Sequence, residues 1–115
     1  MSGSTGKDAA AVKSRMLELT QKFVTRTTFD VAQMREGLAR LGSGDPGALE
    51  LIHQLAHRAC GTGGTLGLCA LADAAADLER VVEAFPKDAV PGEVERAQLA
   101  ARLDAIDDEL ARLGA

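Results

Sequence analysis

His57, Gly61 and Gly67 are the residues of this sequence whose types and spacing most plainly offer chemistry. They stand within Leu55-Ala56-His57-Arg58-Ala59-Cys60-Gly61-Thr62-Gly63-Gly64-Thr65-Leu66-Gly67. An imidazole near neutral pH can serve as a nucleophile, a proton carrier or a metal ligand. If the segment is helical, Gly61 lies one turn beyond His57, so no side chain covers that flank of the ring. Glycine inside a helix costs about 1 kcal/mol relative to alanine, and Gly61, Gly63 and Gly64 crowd into four positions. A cost of that kind calls for a reason: close approach of another protein to the imidazole, or tight packing between helices.

The elements that must position this histidine follow from composition and periodicity. The chain has 115 residues, 46% of them hydrophobic, which is enough for one core and too little for two ordinary domains. Alanine and leucine abound, phenylalanine supplies all three aromatics, and β-branched residues are few, so helix is expected almost throughout. Residues 1–7, small and polar, read as a flexible lead, and residues 8–115 as a single helical domain. Val12, Met16, Leu19 and Phe23 make one apolar stripe, expected to break at Thr25-Arg26-Thr27-Thr28. Thr28 or Asp30 would then cap a second helix with Val31, Met34, Leu38 and Leu41 on its stripe, closed by Gly42-Ser43-Gly44.

Asp45-Pro46 restarts the chain, because the carboxylate accepts orphan amides and proline fits the first helical position. The next helix is predicted from Pro46 to Leu66. At 100° per residue, Leu51, Ile52, Leu55, Ala59, Thr62 and Leu66 gather opposite His57, while Glu50, His53, Gln54, Gly61 and Gly64 share its solvent face. After Gly67 a further helix buries Leu68, Leu71, Ala72, Ala75, Leu78, Val82 and Phe85 and ends at Pro86. The last opens between Pro91 and Glu93, and its seam is Leu99, Leu103, Ile106, Leu110 and Leu113. The expected architecture is all-α: an antiparallel four-helix bundle with an additional N-terminal helix.

The same reading excludes several classes. Net charge is −4, and the basic residues are scattered, so no nucleic-acid surface is expected. No apolar run reaches membrane-spanning length. Without a signal-peptide pattern, and with Cys60 and Cys69 forming no disulfide framework, a cytoplasmic setting is expected. No glycine-rich phosphate loop or nucleotide fingerprint is present, so ATP binding by the chain itself is not expected. Nor is there a nucleophile, base and orienting group in hydrolase order, Glu50 being the nearest carboxylate by spacing.

Three uses of His57 remain open. As a nucleophile it could take up an activated phosphoryl group and pass it on. As one of an i, i+4 pair with His53, joined by Cys60, it could bind zinc or copper in a metal-binding module, although a fourth ligand is lacking. The exposed patch could also serve a non-transferring scaffold.

The stretch around His57 resembles the histidine-containing phosphotransfer (HPt) domains of multistep phosphorelays. Their signature reads roughly Ala-His-x-Leu-Lys-Gly with a further Gly six residues on, matched here by Ala56, His57, Gly61 and Gly67. Leu71, Leu78 and Glu79 fit the family's next helix, and the outer helices match in character only. The resemblance implies a helical bundle whose histidine, here His57, accepts a phosphoryl group from a receiver-domain aspartate and donates it to another. Response-regulator receivers and a hybrid histidine kinase are the implied partners, with no cofactor on this chain and magnesium on the receiver. The partner surface would comprise His53, Gln54, Arg58, Cys60, Gly61 and Gly64, and a monomer suffices. Two departures stand out: Cys60 replaces the family lysine and Ala59 the leucine, leaving Arg58 as the nearest cation.

Overall fold

The computed structural model describes residues 2–86 and 90–114, with side chains described from residue 8. Four helices follow one another: α1 (Ser2–Gly42), α2 (Gly47–Thr65), α3 (Cys69–Glu83) and α4 (Glu93–Arg112). Among the described residues there is no strand. Each helix packs on its sequence neighbours and α4 returns to α1, which closes an antiparallel ring of four.

The additional N-terminal helix expected from the sequence does not form. A single α1 runs unbroken through Thr25-Arg26-Thr27-Thr28. The four residues lack proline and glycine, so nothing in them forbids helical geometry, and tertiary packing outweighs their modest propensity. Thr27 is 1% exposed and occupies a core position between Phe23 and Val31, joining what looked like two stripes into one. Thr28, one of the expected caps, donates its hydroxyl to the Val24 carbonyl four residues back at 2.8 Å. Asp30, the other, sits mid-helix and pairs with Arg58 of α2 at 2.8 Å.

At its N-terminal end α1 extends past its neighbours. From Ser2 the segment expected as a lead is backbone of this helix; Met1 lies outside the described residues. Val12 and Met16, predicted on the buried stripe, are exposed, as is Leu17. At 1.5 Å per residue a helix of this length spans about 60 Å, which accounts for the 63 Å long axis of the molecule.

Helix ends obey the turn chemistry in the sequence. Gly44 and Gly67 both take positive φ, 88° and 77°. At the end of α2 the Leu68 amide donates to the Gly63 carbonyl at 2.8 Å and the Gly67 amide to Gly64 at 3.1 Å. That pair of bonds needs a left-handed residue between them, which glycine adopts without a Cβ penalty. Asp45 Oδ1 accepts the Gly47 amide at 3.0 Å, so α2 starts where Asp45-Pro46 predicts.

The core is aliphatic: Met34, Leu41, Ile52, Leu71, Leu78, Leu99, Leu103 and Ile106 are fully buried. On α3 the buried set is Leu71, Ala72, Ala75, Leu78 and Val82, and on α4 Leu99, Leu103, Ile106 and Leu110, as predicted apart from half-buried Leu68 and Phe85 and exposed Leu113. The α1–α4 side is tied by Arg35, which bonds Asp107 at 2.5 Å and Asp104 at 2.8 Å. Asp107 first, and Asp104 with it, hold this guanidinium above its ordinary pKa.

Candidate functional site

The buried residues of α2 are Ala48, Leu49, Ile52, Leu55, Ala56, Ala59 and Gly63. Ile52, Leu55 and Ala59 of the predicted stripe are buried, while Leu51 and Leu66 are half-buried and Thr62 is exposed, so the buried face is rotated from the predicted one. By helical geometry its centre lies about 140° from His57 instead of opposite it. The displacement has a cause: α2 packs on two helices, α1 and α3, and its core face must serve both. His57 is thereby carried toward the α3 edge of the exposed face, within reach of acidic side chains on that helix.

His57 itself points outward, its side chain 74% exposed. Its Nδ1 lies 2.6 Å from Glu79 Oε2. An ionised carboxylate can only accept, so Nδ1 donates to it, and in the neutral ring held this way Nε2 is the nitrogen with the free lone pair. One turn earlier, His53 Nε2 bonds Glu83 Oε1 at 3.0 Å and approaches Glu79 Oε2 at 3.6 Å. The two imidazole planes are nearly parallel, 9° apart, with ring centres separated by 6.4 Å. Glu79 is the best shielded of the acidic pair, 16% exposed against 55% for Glu83.

Neither glutamate was picked out by spacing as a partner of the histidines, yet the signal is present. His53 and His57 are i, i+4 on α2, and Glu79 and Glu83 are i, i+4 on the antiparallel α3. As one helix climbs a turn the other descends one, so both His–Glu pairs fall into register together.

The remaining predicted residues separate into two groups. Gly61 and Gly64 are exposed, and a Cβ built on either meets nothing within 4 Å. Gln54 is exposed and reaches Glu50 at 3.5 Å. Together with His57 these keep the α2 face low and open. Cys60, by contrast, is half-buried against the core and Arg58 is tied to α1 through Asp30, whose side chain is only 7% exposed. The nearest cation is therefore anchored, although Arg58 still borders a shallow depression with His57, Gly61, Thr62 and Thr65. The metal set of His53, His57 and Cys60 does not assemble. The groups that converge are His53, Glu79 and Glu83, with ligand atoms within 4.8 Å of one another.

The Hpt domain model matches residues 18–115 of the chain. The chain belongs to the Hpt domain family. No curated protein and no solved structure matches it. The matched span begins inside α1, at residue 18. Hpt domains act in histidine phosphotransfer within phosphorelays, working with receiver domains. No helix among the described residues is long and apolar enough to cross a membrane.

Proposed function

We propose that His57 is the phosphoacceptor of this Hpt domain, taking a phosphoryl group from a receiver aspartate and passing it to a second receiver. The observation that carries this reading is the 2.6 Å contact of Nδ1 with Glu79, which leaves Nε2 as the exposed nucleophile. In the forward step the Nε2 lone pair attacks phosphorus, an N–P bond forms, and the P–O bond to the receiver aspartate breaks, its electrons leaving on the carboxylate. Nδ1 keeps its proton, so the phosphorylated ring is cationic and faces the Glu79 carboxylate. No proton need move, and the reverse sequence delivers the group to the next aspartate. Magnesium on the receiver supplies charge compensation for the transferring oxygens.

The docking surface centres on Gly61 and Gly64, with Gln54 and His53 at its edge. It continues into a groove between α1 and α2 where Lys22, Arg26 and Arg58 stand near exposed Thr62. Arg58 is paired with Asp30 in this groove, so Lys22 and Arg26 are the cations that suit an acidic receiver pocket and would offset the chain's overall negative charge during encounter. A small, partly polar patch of this kind fits transient association. The chain works as a monomer in the cytoplasm on this account.

Incubation with a phosphorylated receiver should place acid-labile, base-stable label on the protein, and His57→Gln should abolish it while leaving the helical circular dichroism intact. Label on His53, or label that survives His57→Gln, would contradict the assignment.

A further inference from the structure

We propose that His53 Nε2, Glu79 and Glu83 form a binding site for a divalent transition-metal ion, zinc by the chemistry of the donors, and that the ion restrains phosphotransfer by engaging Glu79. The second half rests on the phosphotransfer reading; the first does not.

The geometry is close to what such an ion needs. With metal–ligand bonds near 2.0 Å, a tetrahedral site has ligand–ligand edges of about 3.3 Å. Two of the three edges lie near that value, 3.0 Å from His53 Nε2 to Glu83 Oε1 and 3.6 Å to Glu79 Oε2, and all three donor atoms lie within 4.8 Å of one another, so a small closure of the glutamate side chains completes the site. The donors sit on α2 and α3, two helices in extensive contact, and the glutamates occupy consecutive turns of one helix, so the ion would find them in place. Three protein ligands leave one position for water.

The mixture of donors selects the metal. Magnesium and calcium favour all-oxygen shells, whereas an imidazole with two carboxylates suits zinc. Binding would displace the proton that His53 Nε2 shares with Glu83 to the other ring nitrogen or to solvent. His57 is outside this ligand set, since its Nδ1 faces Glu79 as a donor. It is affected through that bond: a metal ion on Glu79 draws electron density from the oxygen that accepts the Nδ1 proton. The carboxylate then orients the His57 ring less firmly and balances the phosphorylated ring less well.

The test is a zinc titration of the full chain by calorimetry, with imidazole resonances followed by NMR. One ion should bind per chain, His53 signals should shift, and affinity should fall about tenfold or more in His53→Ala and in Glu83→Gln. Affinity should be unchanged in Cys60→Ser, and His57→Gln should shift it only by the modest coupling through Glu79 while saturable binding persists. Absence of saturable binding, binding that survives His53→Ala, or binding lost with His57 or Cys60 would each overturn the site. With a phosphorylated receiver, zinc should slow labelling of the native chain and leave Glu83→Gln unaffected; equal slowing of both would overturn the coupling. If no label is accepted at all, the phosphotransfer reading fails while the titration still decides the metal site.

Discussion

Two sides of α2 carry glycine in opposite surroundings. On the inner side, Gly63 is buried where three helices meet, and a Cβ there would stand 3.5 Å from Phe23 Cζ and 3.6 Å from Ala72 Cβ. On the outer side, Gly61 and Gly64 face open space, with nothing within 4 Å of an added Cβ and no positive φ to require them. Packing leaves room for little more than a Cβ at the first position and sets no such limit at the other two. Each costs a helix about 1 kcal/mol relative to alanine, and on the proposed function that cost is offset by the approach of a receiver to the surface they leave open. That surface carries His57.

This contrast can be broken at either end. The largest effect is expected on the inner side: Gly63→Leu inserts volume where α1 and α3 already make van der Waals contact, and should destabilise the fold by about 1–3 kcal/mol in urea titrations. Next, Arg58→Ala would leave Asp30 as a buried carboxylate without its partner. A loss of about 1–2 kcal/mol is expected, below the value for a fully buried pair because Arg58 is partly solvated. Gly67→Ala should cost about 1 kcal/mol, the penalty for a Cβ in left-handed backbone, read as a lower melting temperature. The smallest stability change is the most informative. Gly61→Ala should stabilise the helix by about 0.5–1 kcal/mol while slowing label uptake from a phosphorylated receiver. Unchanged uptake would remove the argument that this glycine serves a partner.

The sequence announced the helices wherever punctuation was strong. Asp45-Pro46, Gly44, Gly67 and Pro86 mark real ends because each imposes a backbone angle or removes a donor locally. It misled at Thr25–Thr28, where the signal was only weak propensity and the deciding fact, burial of Thr27 among other helices, is not local. The outward direction of His57 was legible from helical phase alone. Its carboxylate partner was not, because Glu79 enters through the register of a second helix and that register is fixed by core packing. The same limit explains Arg58: its partner Asp30 sits mid-helix in a continuous α1, where the sequence pointed to a break and a helix cap.

Transfer through a Glu79-held ring requires the phosphoryl group to sit on one particular nitrogen of His57. NMR of ring-labelled protein after transfer from a phosphorylated receiver should find phosphorus on Nε2 of His57, with the Nδ1 proton retained and its signal displaced by Glu79→Gln. Phosphorus on Nδ1 of His57, or on His53, would contradict the assignment of Glu79 as the group that holds the ring for transfer.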